Sequence, residues 1–247
     1  MAVDLELALG VDVSGSVDEE EARLQREAPI AAFRHPKVVR AIRYGYLGRI
    51  AVAYYEWAGF GHMKIIAGWS LISDRKSAHG FADNLLEPPP ETARRTAIAA
   101  AIAFGITHFD RNGFRGARRV IDISGDGPNN WGPLVTQARD LAAASRITIN
   151  GLPIMNGRPS WSSRPPMPDL DLYYRDCVIG GPGAFLVVAN DFDAFAAAVL
   201  KKLILEIAGT PVEPVPLGPR LAAGHRLPAD CTNAARGRFW FRDREDY

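Results

Sequence analysis

Five oxygen-bearing side chains in this 247-residue chain have types and spacing that suit a hard cation. In the run Asp12-Val13-Ser14-Gly15-Ser16, Asp12, Ser14 and Ser16 alternate with small or apolar neighbours. Where a strand turns into a loop, short side chains at that spacing converge on one point. Hard oxygen ligands suit Mg2+, Mn2+ or Ca2+ better than soft metals. Such an ion takes about six ligands, so others must come from distant segments. Thr96 stands just before the most strongly periodic helical stretch of the chain, and Asp126 follows the strand-like segment Val120–Ser124 in Ser124-Gly125-Asp126-Gly127. If hydroxyls, Asp and water fill five positions, the sixth is open to an Asp or Glu carboxylate of a partner protein, whose charge the cation favours. Asn129, Asn130 and Trp131 adjoin Asp126 as candidate rim contacts for that partner, and read equally well as a polar turn. Taken alone, Asp-x-Ser-x-Ser is also a common helix-capping turn. Thr96 and Asp126 in matching topological slots weigh against that simpler account.

Enzyme chemistry fits these residues less well. An Mg2+-dependent hydrolase or phosphatase using Asp12 as nucleophile is the alternative reading, but that chemistry wants a second Asp two residues on, where Ser14 stands. Neither Ser14 nor Ser70 lies in a Gly-x-Ser-x-Gly frame. The five histidines are scattered, with no His-Glu-x-x-His among them. Gly180-Gly181-Pro182-Gly183 precedes a strand and opens no helix, so it reads as a tight turn rather than a phosphate cradle.

The elements that must position these residues follow from periodicity. Strands are expected near Leu5–Val13, Arg49–Trp57, Lys64–Ser70, Val120–Ser124, Thr148–Pro153 and Phe185–Val188. Between them lie helical patterns at Asp18–Phe33, after Thr96, and at Asp74–Leu86, Leu134–Ser145 and Asp191–Ile207. Ile98, Ala101, Ile102, Gly105, Ile106 and Phe109 recur at helical spacing, which calls for one buried face. Pro29 is expected to kink or end the first helix. The alternation implies an α/β fold: a Rossmann-like, doubly wound, mostly parallel sheet with helices on both faces. The short Gly-containing link from Ala58 to Met63 makes the third strand an antiparallel edge. Residues 1–209 read as one domain. Residues 210–247 read as a Pro-rich linker and a tail that packs back on it, with a Phe239-Trp240-Phe241 cluster and near-balanced charge.

Twenty-nine basic against 28 acidic residues leave a formal charge of +1, so no global field favours nucleic acid. The pairs Arg94-Arg95 and Arg118-Arg119 read as solvated surface. No apolar run approaches the roughly 18 residues that span a bilayer, and the given sequence opens directly on a strand-like segment with no signal-peptide pattern in it, as a processed chain would too. Cys177 and Cys231 match no metal spacing. They are two unrelated buried thiols, or a disulfide stitching the tail to the domain in an oxidising compartment.

The Asp-x-Ser-x-Ser run with a distant Thr and an Asp-Gly resembles the metal-ion-dependent adhesion site (MIDAS) of von Willebrand factor A domains, over about Val3 to Ile207. The resemblance implies that Ser14, Ser16 and Thr96 ligate the metal, with Asp12 and Asp126 acting directly or through water. The usual Thr-Asp-Gly appears here as Ser-Gly-Asp-Gly. More narrowly, Val11–Asp18, Arg118–Asn130, Asn150–Ile154 and Tyr173–Phe185 resemble a bacterial family of von Willebrand A-like proteins of unknown function. Its members look exported, which implies a periplasmic or secreted protein, with a cytoplasmic one as the alternative, and favours the disulfide slightly.

Overall fold

The computed structural model describes residues 1–14, 19–59, 61–87, 91–110, 112–155, 167–209 and 229–232. The expected loop at 156–166, the linker from Thr210 and the aromatic cluster at 239–241 lie outside them. Five strands form one sheet in the order β3-β2-β1-β4-β5: β1 (Ala2–Asp12), β2 (Ile50–Trp57), β3 (Met63–Ile72), β4 (Arg115–Gly125) and β5 (Thr148–Pro153). All neighbours are parallel except β2 and β3, so β3 is the antiparallel edge. At the opposite edge, the expected strand at Phe185–Val188 is reduced to bridges. Gly151 N donates to Phe185 O and Val187 N to Gly151 O, continuing the parallel pattern without forming a regular strand.

Central β1 is buried along nearly its whole length, as a parallel strand covered on both faces must be. Its odd residues Leu5, Leu7, Leu9 and Val11 meet α1 (Glu19–Arg34), α2 (Pro36–Tyr44), α3 (Arg75–Asp83) and α7 (Phe192–Ala208). The opposite face, with Ala8, Tyr55 and Ile121, packs on α4 (Ile98–His108), α5 (Val135–Ala144) and α6 (Leu170–Tyr173), which widens into a π-helical turn at Tyr174–Val178. The helix after Thr96 buries Ile98, Ala101, Ile102 and Gly105, the face its spacing calls for.

Pro29 neither ends nor interrupts α1, which runs on to Arg34. A proline inside a helix costs about 3 kcal/mol. Burying a large apolar side chain returns roughly 1.5–3 kcal/mol, and α1 sinks Ile30 and Phe33 into the core beside Ala28 and Ala32. Tertiary packing therefore overrides the local penalty. The unforeseen α2 starts at Pro36 behind a His35 cap, where a proline's missing N–H carries no penalty. Arg118 and Arg119 are not free surface charges either. Arg118 donates to Glu206 O and Ile207 O at the end of α7, and Arg119 to Ser145 O at the end of α5, neutralising helix carbonyls that lack internal partners. Gly181 and Gly183, both with positive φ, form the tight turn before the edge segment.

Two polar clusters lie under the α1 and α7 face. Arg26 of α1 pairs with Glu56 of β2, both buried. Lys202 of α7 lies between Asp122 of β4 and Glu206, with Asn150 donating to Glu206. This second cluster is one cation short of its two carboxylates. Burial pulls the Lys202 ammonium down, but Asp122 and Glu206 together hold its pKa above the ordinary value. The deficit falls on Glu206, whose pKa is pushed up to about 7 by burial and then by Asp122. Beyond the core, residues 229–232 are held against the π-helical turn. Ala229 N donates to Asp176 Oδ2 at 2.9 Å, and Cys231 is disulfide-bonded to Cys177 with the Cα atoms 5.5 Å apart.

Candidate metal centre

From central β1 the chain crosses to β2 on one side, and from β4 to β5 on the other. The sheet order therefore reverses between β1 and β4, and loops diverging there open a crevice at the strands' carboxyl ends. Asp12 closes β1, with Val11 opposite Ser124 of β4, and Asp126 follows β4 by one residue. The two carboxylates thus stand on adjacent strand ends at the switch point.

Asp12 is fully buried. Its Oδ1 accepts the backbone N–H of Ser14 at 2.8 Å, while Oδ2 has no hydrogen-bond partner among the described residues. Burial, and then the charge of Asp126, hold the Asp12 carboxyl well above the usual carboxylate range, and hydrogen bonds from Ser14 offset this only in part. A cation between the two carboxylates would reverse both effects. Gly125 gives Asp12 its room: a Cβ there would lie 2.8 Å from Asp12 Oδ2 and 2.8 Å from the Tyr174 hydroxyl oxygen.

Thr96 reaches this point from a separate segment, its Oγ1 donating to Ser14 Oγ at 3.3 Å, with both residues buried. Ala93 N donates to Val13 O, which ties that segment alongside the end of β1. Arg95, directly before Thr96, is held at φ 71°. Such a left-handed conformation costs a non-glycine residue about 1–2 kcal/mol. It persists because Gly59 N donates to Arg95 O at 2.7 Å, an approach so close that a Cβ on Gly59 would lie 2.3 Å from Arg95 Cβ. Strain of this kind tends to gather where a backbone must aim a functional side chain.

Asn130 clamps Thr96. Its Oδ1 accepts Thr96 N at 2.9 Å, its amide donates to Thr96 Oγ1 at 3.3 Å, and Asn130 N and Trp131 N donate to Thr96 O. Trp131 lies 5.8 Å below the Arg95 guanidinium. Asn129 faces inward instead. It is buried, accepts from Ala99 N at the start of α4 and donates to Pro133 O, so it supports the loop from within and presents no side chain at the rim. Ser124, just upstream, is also buried.

Asp12, Ser14, Thr96 and Asp126 are thus gathered at one end of the sheet, and Ser16 lies outside the described residues. Among the described residues no group of three or more His, Cys, Asp or Glu is placed to hold a metal, so any cation here would depend on the hydroxyls. The donor set fits a hard ion: a buried orphan carboxylate oxygen, two hydroxyls and a second carboxylate. Composition alone did not point to Tyr173 or Tyr174, whose hydroxyls reach the site loops from the junction of α6 and the π-helical turn. Tyr173 accepts Asn129 N at 3.3 Å.

The sheet order, with its switch point between the first and fourth strands, is that of a doubly wound α/β fold, and the fold as a whole is von Willebrand factor A-like. Solved structures share the fold. Proximal thread matrix protein 1 from the mussel byssus, in a form described as having a zinc-occupied MIDAS motif, matches with TM-score 0.56 and 14% identity over 83% of this chain and 46% of that one. The pilus adhesin SpaC from Lactobacillus rhamnosus GG matches with TM-score 0.59 and 12% identity over 83% of this chain and 30% of that one. A von Willebrand factor type A protein from Catenulispora acidiphila matches with TM-score 0.58 and 13% identity over 83% and 43%. The chain spans less than half the length of these proteins. No curated protein matches. The chain belongs to the family described as "Protein of unknown function (DUF1194)", whose model matches residues 2–211.

Proposed function

We propose that this domain is a divalent-cation-dependent protein-binding module, of adhesion or scaffold type, that bridges to a partner's Asp or Glu through a bound Mg2+, Mn2+ or Ca2+. The observation that carries this reading is the buried, unpartnered Oδ2 of Asp12 at the topological switch, beside the paired hydroxyls of Ser14 and Thr96 and the charge of Asp126. Ser14, Ser16 and Thr96 would hold the ion, with Asp12 and Asp126 acting directly or through water. Neutral hydroxyl ligands leave the ion electrophilic toward an incoming carboxylate. Asn130 and Trp131 would form the rim, with Asn129 supporting them from inside.

The fold is shared with proteins described as a pilus adhesin and a thread matrix protein, which supports a binding role over a catalytic one. The Cys177–Cys231 bridge supports a periplasmic or secreted location, where disulfides persist. No helix among the described residues is long and apolar enough to cross a membrane. We place the domain at residues 1–209, with 210–247 as a linker and a tail tethered through Cys231.

The test is Mg2+ or Mn2+ titration, followed by thermal unfolding, of the wild type, Asp12→Ala and Thr96→Ala. The metal should raise the wild-type melting temperature and leave Asp12→Ala unmoved. A partner captured with Mg2+ should be released by chelator and held poorly by Thr96→Ala. Mg2+-dependent turnover of a phosphate ester, lost in Asp12→Ala, would overturn the binding reading in favour of a hydrolase.

A further inference from the structure

The adjacent tyrosines at the junction of α6 and the π-helical turn differ in what their hydroxyls meet. Tyr173 is engaged with Asn129, whereas the Tyr174 hydroxyl is buried without a hydrogen-bond partner among the described residues, as is Asp12 Oδ2. These two orphan oxygens each lie 2.8 Å from the point where a Cβ on Gly125 would stand. They are therefore no farther apart than twice that distance, facing one space that the missing side chain keeps open. A neutral phenol at this position has a proton to donate, and a carboxylate oxygen is the strongest acceptor facing it.

The π-helical turn that carries Tyr174 is secured on three sides. Arg139 of α5 donates to Asp176 O at 2.9 Å, Ala229 N donates to Asp176 Oδ2, and Cys177 is bridged to Cys231. A side chain anchored this way keeps its aim while loops around the site adjust.

We propose that Tyr174 is a positioning residue for the metal site: when the cation is bound, its hydroxyl donates to Asp12 Oδ2 and holds that carboxylate in the orientation that serves the cation. This rests on the metal-site reading above. Partners of this outer kind typically change metal affinity 10–100-fold when removed. In the metal-free protein the same hydroxyl is a buried group without a partner, and removing it relieves a desolvation penalty.

The experiment compares Tyr174→Phe with the wild type by calorimetric titration with Mn2+ and by thermal unfolding in chelator. The expected result is about 10–100-fold weaker Mn2+ binding, with a melting temperature in chelator equal to or above that of the wild type. A second measurement on the folded proteins is the ultraviolet tyrosine difference spectrum on adding Mg2+, expected in the wild type and missing in Tyr174→Phe. Wild-type Mn2+ affinity in the variant overturns the positioning role while leaving the metal site standing. An equal loss of stability with and without metal also overturns it, since that marks a packing role. A wild-type protein that binds no Mn2+ overturns both readings.

Discussion

Replacing Gly125 with alanine perturbs the site through one methyl group, and the structure sets the size of the effect. The new Cβ would stand 2.8 Å from Asp12 Oδ2, 2.8 Å from the Tyr174 hydroxyl and 3.2 Å from Asp12 Cβ. Comfortable non-bonded contact begins near 3.5 Å, so each oxygen must retreat by roughly half an ångström or more into surroundings packed as densely as an organic crystal. Gly125 is not in the left-handed region, so the penalty comes from contact and not from backbone strain. Overpacking of this kind costs about 1–3 kcal/mol, and at about 2–4 °C per kcal/mol for a chain of this size the melting temperature in chelator should fall by about 2–12 °C. The metal response should fall as well. A wild-type site at a Mg2+ concentration about 100 times its Kd gains about 2.7 kcal/mol, or about 5–11 °C by the same conversion. Metal sites tolerate displacements of only about 0.5 Å, so less than half of that gain should survive in Gly125→Ala. Calorimetric unfolding of both proteins in chelator and in Mg2+ measures both quantities. A variant melting with the wild type in chelator refutes the packing estimate. A variant that melts lower yet keeps the whole metal increment refutes the placement of Asp12 on the ion.

Two further outcomes follow from groups away from the crevice. Glu206 has a folded pKa of about 7, above its ordinary 4.5, so between those values the native state holds a proton that the unfolded chain releases. Its contribution to stability is therefore fully present below about pH 4.5 and is lost as pH rises through 7, a change on the order of 3 kcal/mol. Glu206→Gln should flatten that part of the stability profile measured by urea unfolding, and a variant with the wild-type slope would exclude Glu206 as its source. Cys177 and Cys231 should resist alkylation in the non-reduced native protein and take up two adducts once reduced and unfolded. Replacing Cys231 with serine opens a loop spanning 54 residues in sequence and should cost about 4 kcal/mol in thermal unfolding; two adducts on the native, non-reduced protein would contradict the bridge.

Much of the molecule was legible in the chain because the relevant physics is local. Thr148–Pro153 reads as a strand and is one to the residue, because a segment of strand length carrying Ile149 and Leu152 lies between a helical pattern and a Pro- and Ser-rich stretch and is too short for a helix of its own. The helix after Thr96 follows from spacing alone, since a 3.6-residue period sets which side chains share a face. Asp12 and Ser14 are adjacent enough in the sequence for alternation to bring them together. The convergence of Thr96 and Asp126 on them rests on parallel strand order, which the alternation of element types already implied. What only the tertiary structure decided are balances between distant groups. Pro29 stays inside α1 because a core assembled from other segments outweighs a local penalty. Arg118 and Arg119 look like surface charges until the ends of α7 and α5 arrive beside them. Asn129 turns inward because Ala99 at the start of α4, 30 residues away, donates to its side chain, while Tyr173, 44 residues away, accepts from its backbone N–H. Tyr174 comes to face the same space as Asp12 only because a helical turn near residue 174 packs against the end of β4, and no spacing rule along a chain records a proximity made through folding at that range.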